Sequence, residues 1–546
     1  MGLSPDAAES KASPFPSMPG SEAKASITDS GRALTWTIAL LALATFTYIY
    51  LLTHRLFVFS EARYYIHWPQ PGDLLRFFVF PEPNWGSGRL LGIATFQVTG
   101  QICSVDAPCV NGVGALLTSA ASIVLTIHTR QVTGSLRLAA AIGVLWVMSP
   151  PVLGISLWQS ARFDMLAFIA SIGTSALWWE VLGRRSLSKA SGVVFVVASV
   201  VLIAVAFNAK ELSYYLLGAL PIIATIRGWS FVGGVRRNLT LSVGAIGYAI
   251  FFIAYALSHI APDYAASAGS ASILDTATGL MRQSLGLGQA FMGIWQPSTS
   301  FDALQRLAKV GYLTFLIASA AAGIVALRHL RRGRASELVR SFRAEMYLAA
   351  VLGATLIINS RSAGADVYYM PIPYWALLVL GALILRRVAF RLPASRLAFL
   401  GLSLLFATSA LTAYASHFTA RSAWQVLTDA SARMDDVGAT LRVLLANRDV
   451  TDVSWLTIGR PNGFQYVLRG SGERGTFIGP EMWPWLMRDP NAKPVVHPVV
   501  DGSAASWAAR AAEFGAPGQV LVVLSQDYHL ELLIHEGEVL FASGGG

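Results

Sequence analysis

The sequence predicts an α-helical polytopic membrane protein of about eleven transmembrane helices, N-terminus inside and C-terminus outside, that ends in a small extracytoplasmic α/β domain. Three observations carry this prediction. Only 13% of the 546 residues are charged, 54% are hydrophobic, and the mean hydropathy is +0.53. That charged share is about half the share usual for soluble domains, so too few polar side chains exist to clothe several water-facing domains. Apolar stretches of roughly 17–25 residues, the length that crosses a ~30 Å hydrocarbon core as a helix, recur along the chain. Lys and Arg collect in alternate connections between those stretches. Together these exclude a soluble enzyme, a disordered chain and a disulfide scaffold.

Taken in order, residues 1–32 are rich in Ser, Ala and Pro and read as a disordered cytoplasmic tail. They are no signal peptide, because the first apolar run starts late and is long enough to span. Spans are placed near 33–53, 112–128, 136–154, 163–182, 191–208, 213–226, 239–259, 308–327, 345–360, 369–385 and 396–416. With the tail inside, the inner loops hold Arg130 and Arg137; Arg184, Arg185 and Lys189; Arg227, Arg236 and Arg237; an Arg-rich run from Arg328 to Arg343; and Arg386, Arg387, Arg391 and Arg396. The short outer loops hold Arg162, Lys210 and Arg361. The net charge of +10 and pI near 9.7 are therefore mainly an orientation signal, not a nucleic-acid footprint.

Two outer loops are long, 54–111 and 260–307. In the first, Leu74, Leu75, Phe77, Phe78 and Phe80 beside Arg76 suit a helix lying in the membrane interface. In the second, the Gly-rich run 279–293 suits either a substrate-gating element or an ordinary loop helix. The two cysteines, Cys103 and Cys109, both fall in the first outer loop. A disulfide is favoured in an oxidising compartment, against two buried thiols. Residues 417–546 have the composition of a soluble α/β domain: an amphipathic helix over 418–447, strands at 451–458 and 518–524, a helix over 503–514, and a hairpin over 529–541 that turns at Glu536-Gly537. No fixed-period repeat is evident.

Ionisable groups near hydrocarbon persist mainly when paired or functional, and those at outer helix ends gather on one leaflet. Glu61 lies in FSEARYY, Arg89 in NWGSGRLLG, Arg162 and Asp164 in WQSARFDML, Lys210 and Glu211 in FNAKELSYY, and Arg361 and Asp366 in NSRSAGADVYYMPIPY. For any one of them, snorkelling or a local ion pair is an equal account. No GxxxxGK[ST], GxGxxG, HExxH or GxSxG element is present, so a nucleotide cradle, a paired-His zinc site and a hydrolase elbow are not indicated. What remains is an outward carboxylate, several cations able to hold a phosphate, and aromatics able to stack on a sugar ring.

The Lys-Glu element with its Tyr-rich continuation and Pro (NAKELSYYLLGALP), the late DVYYMPIPY element and the acidic residue soon after the first span resemble the GT-C superfamily of membrane glycosyltransferases. Protein O-mannosyltransferases and aminoarabinose transferases, which use polyprenyl-phosphate sugars, are of this kind. The resemblance covers 33–416. It implies a GT-C-like catalytic domain in the plasma (inner) membrane of a bacterium, acting on the extracytoplasmic face. It also implies an inverting transfer of sugar from a polyprenyl-phosphate donor to a glycan, lipid or protein acceptor. Glu61 corresponds best to the family's first-loop acid, the base that would deprotonate the acceptor. Asp164 is the second choice and Glu82 the third, since Ala62 and Arg63 follow Glu61 where family members often carry a second acid. Lys210 matches the family's Lys, with Arg361 and Arg89 sharing the donor phosphate. Arg162, Asp164, Glu211, Asp366, Tyr368 and Tyr369 would line the substrate cleft, although an interfacial aromatic belt explains the tyrosines as well. Lys210 has an alternative as an internal bridge to Glu211, Asp164 or Asp366. A divalent cation stays open, since members of the family differ over it. The competing functions are a lipid or polysaccharide transporter, which predicts midplane polar residues and broken helices, and a non-catalytic assembly protein.

Overall fold

The computed structural model describes residues 20–56, 90–157, 162–184, 188–228, 342–359, 370–391, 431–457, 483–489, 495–498, 503–525 and 529–543, with a few single residues and short pieces between. The predicted spans 239–259 and 308–327 and most of 396–416 lie outside the described residues, as do the interfacial stretch 73–80 and most of the 260–307 loop.

The membrane part is helical. Helix α1 (Gly20–Thr53) begins inside the segment read as a disordered tail. Good helix formers such as Glu22, Ala23 and Lys24 extend the apolar run N-terminally. Helix α2 (Leu90–Cys103) and the start of α3 (Ala107–Thr133) occupy part of what reads as a long outer loop. Asp106 is the N-cap of α3, Pro108 sits in its first turn, where a missing N–H costs nothing, and Gly134 ends it at φ 70°, a left-handed conformation that glycine adopts freely. The predicted span 136–154 is two helices, α4 (Leu136–Val147) and α5 (Pro150–Leu157), bent by 48°. Pro150 and Pro151 cannot donate to the preceding turn, and the Ser149 hydroxyl donates to the Trp146 carbonyl oxygen at 2.6 Å across the break.

Helices α6 (Arg162–Leu182) and α7 (Lys189–Ala209) pack as an antiparallel pair. A 3-10 turn (Glu211–Tyr215) then leads into α8 (Leu216–Gly228), so the predicted span 213–226 starts one turn early and in a tighter helix. Helices α9 (Arg343–Asn359) and α10 (Pro371–Arg391) follow. Among the described residues, four helical segments are long and apolar enough to span a bilayer: Arg32–Thr53, Ala107–Thr133, Asp164–Leu182 and Ala190–Ala209. The bent α4–α5 pair makes a fifth if counted as one span. On α7 the face carrying Val193, Val194, Val197 and Val201 is more than half exposed, as expected of a face that meets lipid rather than protein.

Beyond residue 430 the fold changes. A helix over 431–444 (α11) precedes β1 (Asp452–Thr457). Short helix α12 (Trp483–Met487), β2 (Val495–Pro498), α13 (Ala504–Ala509), β3 (Gln519–Leu524), β4 (Leu530–His535) and β5 (Glu538–Ala542) follow. The strands form one mixed sheet in the order β2-β1-β3-β4-β5, parallel across β2, β1 and β3 and antiparallel from β3 onward. Strand β3 is buried on both faces, which is why it reads as a continuous apolar run. The hairpin turns on Glu536 and Gly537, both at positive φ, the geometry that matches strand twist.

Candidate functional site

At the end of the bundle where α6 begins and α7 ends, two charges lie buried together. Asp164 sits in the first turn of α6, where the helix N-terminus favours an anion. Lys210 follows the last residue of α7 in extended conformation (φ −162°, ψ 145°), its amide N–H donating to the Ala206 carbonyl oxygen. A cation is favoured there for the converse reason. Because α6 and α7 run antiparallel, the start of one meets the end of the other. The Lys210 ammonium lies 3.1 Å from Asp164 Oδ1 and 3.2 Å from Oδ2. The side chains are 5% and 1% exposed, respectively.

A buried pair of this kind is held against a desolvation penalty of several kcal/mol per ion, and such pairs are common where a site needs charge in a low dielectric. The internal bridge from Lys210 to Asp164 is thus the partner that the structure selects. Lys210 and Asp164, which the sequence offered separately as phosphate ligand and substitute base, thus lie in one place.

Arg162 is the first residue of α6 and Glu211 opens the 3-10 turn, so their backbones border the pair. Glu61, Arg89, Arg361, Asp366, Tyr368 and Tyr369 lie outside the described residues. Tyr374, the last residue of the DVYYMPIPY element, is fully buried. A disulfide joins Cys103 and Cys109, with Cα atoms 5.4 Å apart, and ties the end of α2 to the first turn of α3. In that same turn the Asn111 side-chain amide donates to the Thr53 and Leu56 carbonyl oxygens at 2.9 and 2.8 Å, closing the end of α1. Among the described residues, no three His, Cys, Asp or Glu side chains gather as a metal site.

Sequence reasoning missed a second set of buried polar groups on α3, α6 and α9. His128 Nε2 accepts from the Tyr347 hydroxyl at 2.8 Å, and its Nδ1 faces Gln131 Oε1 at 3.2 Å. Trp375 Nε1 donates to Thr129 Oγ1 at 2.9 Å, and the Arg227 guanidinium lies over the Trp179 ring at 4.8 Å. His128, Thr129, Tyr347 and Trp375 are interior, whereas the sequence pointed only to the outer helix ends. The spacing Asp164, Ser171, Ser175 down one face of α6 is the signal that could have found them.

No family model and no curated protein matches the chain. Among solved structures, it is similar to the aminoarabinose transferase ArnT of Cupriavidus metallidurans bound to undecaprenyl phosphate, at 14% identity and TM-score 0.44, over 89% of this chain and 92% of that one. It is also similar to the archaeal oligosaccharyltransferase AglB of Archaeoglobus fulgidus in complex with an inhibitory peptide and a dolichol-phosphate, at 13% identity and TM-score 0.38, over 78% of this chain and 63% of that one. A third likeness is to the apo form of an Archaeoglobus fulgidus oligosaccharyltransferase, at 12% identity and TM-score 0.35, over 78% and 64%.

Proposed function

We propose that the protein is an inverting membrane glycosyltransferase that moves a sugar from a polyprenyl phosphate to an extracytoplasmic glycan, lipid or protein acceptor. The observation that carries this reading is the buried Asp164–Lys210 pair at the meeting of α6 and α7, within the two motifs RFD and NAKELSYY. A charge pair held this deep at the end of a hydrocarbon-spanning helix pair is poorly explained by stability alone.

In the proposed reaction, Glu61 takes the proton of an acceptor hydroxyl. The oxygen attacks the anomeric carbon as the bond from that carbon to the lipid-phosphate oxygen breaks, and the configuration inverts. Lys210, shared between Asp164 and the donor, meets the negative charge that grows on the departing phosphate, a task that the family resemblance also gives to Arg89 and Arg361. Charge stabilised as it develops is where such a site gains most of its rate. Asp164 holds Lys210 at this place between turnovers. The donor enters sideways from the bilayer, since its many methylenes, each worth ~0.8 kcal/mol, keep it in the membrane. The active face and the sheet-bearing C-terminal region are extracytoplasmic in this reading. The Cys103–Cys109 disulfide, at home in an oxidising compartment, supports that side.

The test is purified protein incubated with a panel of polyprenyl-phosphate sugars, with hydrolysis or transfer scored by mass spectrometry. Wild-type protein should release lipid phosphate with at least one donor, and Lys210→Met should lose turnover by roughly 100-fold or more, as when one stabilising donor is removed. A Glu61→Gln protein that binds donor and turns over at the wild-type rate would eliminate Glu61 as base.

A second reading, a lipid or polysaccharide transporter, draws on the bent α4–α5 pair and the buried polar groups around His128, both features of that class. Flux across vesicles without chemical change of the substrate would favour it over transfer.

A further inference from the structure

One buried polar cluster has no part in the transfer proposed above. On α6, Ser171 and Ser175 follow Asp164 at spacings of seven and eleven residues, which puts all three within about 20° of one line down the helix. Seven residues rise ~10 Å, so the serines begin about two turns beneath the ion pair. Tyr215, at the end of the 3-10 turn that starts after Lys210, descends a similar ~10 Å at about 2 Å per residue. Tyr347 on α9 and His128 on α3 complete the set, and all five side chains are fully buried.

The hydrogen bonds here have a direction. An amide oxygen only accepts, so His128 Nδ1, facing Gln131 Oε1, carries the ring proton and Nε2 accepts from Tyr347. The Tyr347 hydroxyl has then donated its one proton and can only accept on its other side, where Ser175 lies. Ser175 and Ser171 both border the Tyr215 hydroxyl. Ser171 donates back to the Phe168 carbonyl oxygen at 3.3 Å. Neither Ser175 Oγ nor Tyr215 Oη makes a hydrogen bond of full geometry to any described residue, although Ser175 lies within reach of the Tyr215 and Tyr347 hydroxyls and Ser171 within reach of Tyr215. Two adjacent buried hydroxyls, each able to donate and accept, are thus left without a well-formed hydrogen bond beside a neighbour that needs a donor. Native interiors rarely leave such groups unpaired, and an ordered water is the usual remedy.

We propose that Ser175 and Tyr215 bind an internal water molecule, which completes a continuous hydrogen-bonded line from Ser171 on α6 through Tyr215 and Tyr347 to His128 on α3. Water fits where a cation does not. The hydroxyls both donate and accept, and none of Ser171, Ser175, Tyr215, Tyr347 and His128 is a carboxylate that would balance a charge. The site is independent of the transfer reading. It pins the 3-10 turn that carries Lys210 to the bundle interior.

The test is hydroxyl-radical labelling of the full chain in detergent, read residue by residue by mass spectrometry, because radicals formed at a bound water mark the side chains around it even without bulk exposure. Trp146 is the dry control, fully buried with its Nε1 bonded to the Pro371 carbonyl oxygen at 3.1 Å. Tyr215 should be labelled well above Trp146, and Ser175→Ala should abolish the excess. Labelling of Tyr215 no greater than that of Trp146 overturns the proposal. A second readout uses Tyr215→Phe. With the water present the variant loses a partnered hydroxyl and its Tm falls. Without the water it sheds an unsatisfied one, and an unchanged or raised Tm overturns the proposal as well.

Discussion

Asp164 and Lys210 each complement the end of the helix they sit on, and each cancels the other. Burial makes the cancellation obligatory. Removing one partner leaves an uncompensated charge in a low-dielectric site, which costs about 3–5 kcal/mol, whereas an apolar pair of similar volume is often tolerated. Lys210→Met and Asp164→Leu should therefore each lower Tm in detergent, and the double variant should recover most of the loss while remaining inactive. Single variants as stable as wild type would sink this account of the pair. Both residues were legible in the sequence as outer-end charges. Their pairing was one of several alternatives, because they are 46 residues apart and meet only through the antiparallel packing of α6 and α7. Ser175, Tyr215 and Tyr347 were not legible. A hydroxyl in an apolar run changes hydropathy little, and its cost appears only once its neighbours are known.

At the level of elements, length and hydropathy located most described spans, since a helix must cross a fixed thickness. They failed where local chemistry overrides an apolar run. The prolines at 150 and 151 split one stretch into α4 and α5, and Leu90–Cys103 is apolar yet stands where a loop was expected. Strand β2 escaped notice because it is four residues long and ends in proline. The closure of α1 makes a prediction at this scale. Asn111→Leu removes two hydrogen bonds to the end of α1, a loss of about 2 kcal/mol at roughly 1 kcal/mol each. Replacing both cysteines by serine opens a cross-link over a sequence separation of 6, a loss of about 2–3 kcal/mol. Because both devices hold the first turn of α3, the combined variant should fall short of the sum in thermal unfolding. Full additivity would mean that the two act independently.

For the whole molecule, the arrangement of Lys and Arg predicts an inside N-terminus and an outside C-terminus. A phosphatase fused after Gly546 should be active and a fluorescent protein at the same position dark, with the reverse at Arg184. A bright C-terminal fluorescent fusion would refute the outside C-terminus, and a dark fusion at Arg184 besides would move the Lys210 site to the cytoplasmic face. One property of that site follows from its neutrality. A single charge displaced through the membrane field gains or loses about 2.3 kcal/mol per 100 mV. Lys210 and Asp164 lie 3.1 Å apart and sum to zero, so the pair itself contributes no net electrical work when it moves. Without substrate, the pair adds nothing to a response to the membrane voltage, whereas the charge of a bound lipid phosphate would.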